Sequence, residues 1–149
     1  MSTNPPARHS IHQAFALRED PDRPGELSVL LISPAHESSL TLPGGPAEQH
    51  ELPHHAARRH LESSTSLVLP LRTILSIDYT PEALTLIYAG GMLTPQQASI
   101  ASLHRPVHWV PRHKLRDVTT PDHHHRIEDA WEHGDGLPLL IQGTPVPIG

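Results

Sequence analysis

The sequence predicts a single α/β domain, and three observations lead to that reading. Residues 27–33 (LSVLLIS) form a nearly continuous apolar run of strand length, the pattern of a strand buried on both faces. A helical segment begins at Pro53, soon after the Gly44-Gly45 turn, with Pro in the first turn where its missing N–H costs nothing. A second helix starts at Thr120-Pro121-Asp122 and runs to about His133, with strand-like segments between the two. At 149 residues the chain is one domain, long enough for a real core. Residues 1–8 read as a disordered lead-in and residues 9–149 as the domain. No internal repeat or linker interrupts it.

The elements follow in order. Residues 11–17 are apolar enough for a strand, and EDPDRPGE (19–26) is a turn rich in Pro, Asp and Gly. The strand at 27–33 comes next, then a loop at 34–39, and Leu40-Thr41-Leu42 leads into the turn. In the first helix Ala56, Ala57 and Leu61 make a narrow core-facing stripe, while Ser63, Ser64, Thr65 and Ser66 are poor helix formers expected to fray its end. Residues 67–79 read as one or two strands broken at Pro70, and 83–89 as a strand ended by Gly90-Gly91. TPQQASIASL predicts a short helix capped by Thr94 with Pro95 at its first position. A strand follows at 107–111. The last helix turns Ile127, Ala130 and Trp131 inward and stops at Gly134, and 137–146 adds an edge strand.

Around residues 42–67, LPGGPAEQHELPHHAARRHLESSTSL, the chain has a distinctive spacing. Gly45 is followed after five residues by Glu51 and after seven more by Arg59, with Leu61 and Leu67 in register. This stretch resembles the Nudix box: Gly, five residues, Glu, seven residues, Arg-Glu, a hydrophobe, any residue, Glu-Glu, any residue, Gly and a hydrophobe. Glu48, Pro53 and Ala56 also match common choices of that family, and Val107 to Pro111 resembles its late W-V-P strand. The chemistry departs from the pattern. His60 stands in place of the Glu after Arg, Ser63 and Ser64 replace the Glu pair, Ser66 replaces the Gly, and Ser33-Pro34 sits where many members carry an Arg.

The resemblance covers roughly residues 9–146 and implies an α/β/α sandwich with a mixed central sheet. It also implies what the substitutions do. In that family the box carboxylates hold Mg²⁺ or Mn²⁺ against a diphosphate, where the metal neutralises charge and activates water. Mg²⁺ takes hard oxygen ligands in octahedral geometry, for which an imidazole and two hydroxyls are poor substitutes. Glu62 does not compensate, because at about 100° per residue positions 60, 63 and 64 share a helix face that 62 leaves. No cofactor is expected, with weak Mg²⁺ or Mn²⁺ binding at Glu48, Glu51 and His60 left open.

Each candidate has a structural and a functional reading. Gly44 and Gly45 allow close backbone approach, and the resemblance places them beside the ligand. Arg59 either forms an ion pair with Glu51 or Glu48 that fixes the loop on the helix, or offers its planar fork to a phosphate. His60 is a helix histidine or a general acid or base with Glu51 or Glu48, and with His50 and His54 it could bind a softer metal. Ser63 and Ser64 face the ligand side without a base in sequence, so neither is a nucleophile. His123, His124 and His125 point in three directions and read as surface residues. Asp78, Glu82 and Tyr88 could edge a pocket.

Composition narrows the function classes. With no cysteine the chain has neither disulfides nor thiolate metal sites, which fits a reducing cytoplasm. No run approaches the roughly 20 apolar residues of a membrane span, and a formal charge of −5 without basic runs argues against nucleic acid. Fourteen histidines would pull that charge toward zero as they protonate near a pKa of about 6.5, which predicts turbidity somewhat below neutral pH. The leading expectation is a cytoplasmic binding or regulatory module, a pseudoenzyme for a nucleotide-like or other small ligand. The alternatives are a repurposed enzyme using His60 with Glu51 or Glu48, and an altered pyrophosphohydrolase with one weakly held metal. A homodimer is compatible with the family and not read from the residues.

Overall fold

The computed structural model describes residues 9–145 apart from 36, 104, 139, 142 and 143. The lead-in at 1–8 and the end of the expected edge strand at 146 lie outside the described residues. In chain order the elements are β1 (His9–Glu19), β2 (Leu27–Leu31), β3 (Gly44–Pro46), α1 (Pro53–Thr65), β4 (Thr73–Tyr79) and β5 (Ala83–Met92). Then follow α2 (Pro95–Ala101), β6 (His108–Pro111), a 3₁₀ turn (Arg112–Lys114), α3 (Leu115–Val118), α4 (Pro121–Glu132) and three two-residue strands, β7 (Leu137–Pro138), β8 (Leu140–Ile141) and β9 (Thr144–Pro145).

The sheet is mixed, in the order β6-β2-β1-β5-β4-β7, with β3 added beside β1. β1 is its axis. It runs parallel to β5 along one edge, while the other edge takes β3 at Ile11–Gln13 and β2 at Leu17–Glu19, both antiparallel. Because successive side chains on a strand point to opposite faces, β1 sends Ala14 and Ala16 to one side and Phe15 and Leu17 to the other. The first side packs with Leu30, Tyr88 and the Ala57 and Leu61 stripe of α1. The second packs with Val29, Leu31 and Ile87 against Ile127 and Ala130 of α4. The result is the α/β/α sandwich. Ala56, Ala57 and Leu61 are fully buried, and cutting Leu61 to Ala would cost about 2–5 kcal/mol. Among the described residues no helix is long and apolar enough to cross a membrane.

Three local expectations are corrected. The serine-rich end of α1 does not fray: it stays helical through Thr65, whose hydroxyl donates to Leu61 O at 2.7 Å, and Ser66 closes it at φ 63 with its N–H on Glu62 O. Ser66 thus adopts the left-handed conformation that a Gly would take more cheaply. Residues 67–72 are irregular, and β4 begins only at Thr73. Leu67, Leu69 and Leu71 are buried there, so their alternation reflects core packing and not strand pairing. Gly90-Gly91 does not end β5. Phe15 pairs with Ala89 and Ala16 with Gly91, so Gly90 is absorbed as a bulge and the strand continues to Met92. The Thr94 cap forms as expected, as a reciprocal capping box with Gln97.

Candidate functional site

The box residues converge where β1, β3 and the start of α1 meet. β3 pairs Gly44 with Gln13, Gly45 with His12 and Pro46 with Ile11. Both positions leave little room for a side chain, Gly44 against backbone and Gly45 against the His60 ring. A Cβ on Gly44 would stand 2.4 Å from His12 O, and one on Gly45 would stand 2.4 Å from His60 Cε1. The His60 imidazole therefore lies directly on Gly45, and its Nε2 is 2.8 Å from Pro46 O. A carbonyl only accepts, so the His60 proton sits on Nε2.

Glu51, at the entrance of α1, is held by Arg59. The guanidinium grips both carboxylate oxygens, Nε to Oε2 at 2.9 Å and an Nη to Oε1 at 3.0 Å, and donates to Pro46 O at 3.1 Å. The Glu48 N–H adds a further bond to Glu51 Oε1, while the Glu48 side chain is exposed and 3.9 Å from Arg59. These bonds, the Arg59 contact first, pull the Glu51 pKa down to about 2, so it stays ionised and is a weak base. The loop-fixing role considered for Arg59 is thus realised in the geometry. Its side chain remains 40% exposed, with Nη1 turned toward the Glu48 carboxylate at 3.9 Å.

Two further residues complete the site. His12 and Tyr88 are buried on the α1 side of the sheet, with His12 Nδ1 2.9 Å from the Tyr88 hydroxyl. Burial lowers the His12 pKa, opposed by nearby Glu51 and reinforced by His60, so His12 is neutral at pH 7. Burial pushes the Tyr88 phenol upward, which keeps its proton in place. Tyr88, considered as a pocket-edge residue, is instead fully buried in the core beside Leu30 and Leu61, and His12 carries no motif. The available signal was alternation, which puts 12, 14 and 16 on one face.

The other candidates disperse. Ser63 and Ser64 lie one turn further along α1, exposed and half-buried. His54 is buried, its Nδ1 without a partner among the described residues and its ring 4.2 Å from that of His55, while His50 sits exposed at φ 67 in the loop. Among the described residues no group of three or more His, Asp or Glu side chains is placed to hold a metal ion, so His50, His54 and His60 do not assemble. Nor does the donor set suit a hard divalent cation: Glu51 has both oxygens on Arg59 and His60 points at a carbonyl. Asp78 binds Arg126 of α4 at 2.6 Å, on the opposite face, and Glu82 is exposed in the β4–β5 turn. The surface reading fails for His123. It is half-buried, bonded to the Thr41 hydroxyl at 3.1 Å, with its pKa lowered by burial and by Arg126. His124 faces Glu128 at 3.6 Å and His125 is exposed.

No protein-family model matches the sequence, and no curated protein matches it. Solved structures do. NrtR of Shewanella oneidensis is 23% identical with a TM-score of 0.67, covering 83% of this chain and 61% of its own, so this chain spans about three-fifths of that protein. The NUDIX domain of NrtR complexed with ADP ribose is 22% identical with a TM-score of 0.64, covering 85% of this chain and 88% of that one. NrtR has also been crystallised with a 27mer DNA. A mutT/nudix family protein from Listeria innocua is 20% identical with a TM-score of 0.66, covering 87% of this chain and 94% of its own. With the Gly-Gly strand leading into α1 and a mixed sheet between two helical layers, this chain has the Nudix fold.

Proposed function

We propose that this protein binds a nucleotide-like, diphosphate-containing small molecule at the β1–β3–α1 junction, without metal-dependent hydrolysis of it. One observation carries the reading: beyond Arg59 the ligand-side face of α1 offers His60, Ser63 and Ser64, while Glu51 is bound on both oxygens by Arg59. Such a face can donate hydrogen bonds to an anion but cannot cage Mg²⁺. The half-exposed Arg59 guanidinium and the Ser63 and Ser64 hydroxyls are the groups we assign to the diphosphate, since the His60 N–H is already directed at Pro46 O. The ADP-ribose complex of the NrtR domain belongs to that protein, and here it names the ligand to try first. The low pKa of Glu51 favours binding over acid–base catalysis through that residue. The box is in this reading a degenerate one, and the protein a pseudoenzyme of a reducing, cytoplasm-like compartment. The partner is a small molecule and not nucleic acid, given the net charge of −5.

Titration calorimetry with ADP-ribose, run with and without Mg²⁺ or Mn²⁺ and followed by chromatography for released AMP, tests this. The expected outcome is saturable ADP-ribose binding that metal does not alter, with no AMP. Tight metal binding and Mg²⁺-dependent AMP release would overturn the proposal in favour of an altered hydrolase. No ADP-ribose binding would overturn the nucleotide-like class.

A further inference from the structure

A second cleft opens at the β4 edge of the sheet, between β4, β7 and the end of α4. β4 lies two strands over from β1, so this cleft is separate from the β1–β3–α1 junction. It has a volume of about 580 Å³, and Ile74, Leu75, Ile77 and Leu137 give it its apolar lining. β7 pairs with β4 only at Thr73 and Ile74. Ile77 and Leu137 are 59% and 70% exposed, so apolar surface in the cleft is left open among the described residues.

The charged residues that line the cleft are all acidic. Asp129, Glu132 and Asp135 contribute to it, and no Lys or Arg does so among the described residues. Their partners differ. Glu132 is paired with Arg112, which stands outside the cleft and also holds Glu128. Asp129 accepts from the Ser76 hydroxyl at 2.7 Å, and His133 Nδ1 lies 3.2 Å from its other oxygen. A hydroxyl satisfies a carboxylate oxygen without neutralising its charge. Asp135 is exposed and has no ion-pair partner among the described residues. α4 ends here with no basic residue in its last turn, so the negative end of its backbone dipole adds to the same field.

An apolar lining with a few charged groups of one sign describes a small-molecule site. We propose that this cleft binds a small amphipathic amine, its ammonium facing Asp129 and Asp135 and its apolar body along Leu75, Ile77 and Leu137. The carboxylates disfavour an acid, and the apolar lining disfavours a short, fully hydrated cation.

The test is calorimetry on the full chain at pH 8, where an ordinary imidazole is uncharged. Octylamine is the probe, octanoate the control of matched length and opposite charge, and butylamine the control of matched charge. Octylamine is expected to saturate with one molecule per chain, octanoate to show no saturable binding, and butylamine to bind at least tenfold more weakly for want of buried methylenes. Asp129→Asn, which keeps an acceptor for Ser76, and Asp135→Asn should each weaken octylamine roughly threefold or more. Asp22→Asn removes the same charge from an exposed turn elsewhere and should leave the affinity unchanged. Absence of saturation at millimolar octylamine, equal binding of octanoate or of butylamine, or an equal loss in Asp22→Asn each overturns the proposal. So does unchanged affinity in the two cleft variants; if Asp129→Asn does not fold, unchanged affinity in the exposed Asp135→Asn suffices.

Discussion

Replacing Gly45 by Ala perturbs one contact at the heart of the site. The new methyl would sit 2.4 Å from His60 Cε1 and 2.7 Å from its Nε2, so the ring must move. Backbone strain does not enter, since Gly45 is not among the residues with positive φ. Moving the ring breaks the 2.8 Å bond to Pro46 O, a loss of about 1 kcal/mol. Residual overpacking adds to this within the usual range of about 1–3 kcal/mol. We therefore expect a loss of about 2 kcal/mol, which for a chain of this size lowers Tm by roughly 4–8 °C. The background decides the interpretation. In His60→Ala the obstruction is gone, and Gly45→Ala should be neutral or slightly stabilising through the unfolded chain. Urea unfolding of the two single variants and the double variant measures the difference, an expected coupling of about 2 kcal/mol. Equal costs of Gly45→Ala in both backgrounds would refute the packing of His60 on Gly45.

Other expectations follow from the same geometry. Ser66→Gly relieves a left-handed serine at φ 63 and should raise the urea midpoint by the equivalent of about 1 kcal/mol without altering the slope; a lower midpoint would contradict the assigned cap. Glu51→Gln should cost on the order of 1 kcal/mol at pH 7. The folded Glu51 pKa of about 2 lies below its ordinary 4.5, so this contribution is present above pH 4.5 and disappears as pH falls toward 2. Parallel acid titrations of the two proteins should therefore converge there. His12, His54 and His123 all have lowered pKa values, so the unfolded chain binds more protons than the folded one below about pH 6.5. Thermal midpoints should fall between pH 7 and pH 5, and His12→Gln should flatten part of that slope; an unchanged slope would show that His12 is not held neutral.

Where an outcome depends on neighbours in the chain, the sequence alone determined it. Pro53 opens α1 and Thr94 caps α2 because each acts on N–H groups within three residues of itself. The spacing from Gly45 through Glu51 to Arg59 likewise survives, since a turn and two helical turns suffice to bring those residues together. Buried alternation in the strands was legible for the same reason. Tertiary structure decided everything that depends on register between distant strands. His12 and Tyr88 are 76 residues apart, and only the parallel pairing of β1 with β5 makes them partners. His123 becomes half-buried and hydrogen-bonded because α4 packs its first turn against Thr41, 82 residues earlier. Arg18 meets the Trp109 ring, 91 residues further on, because β2 holds β1 and β6 in one sheet. Local propensity reaches only a few residues along the chain; the faces that meet are chosen by the sheet.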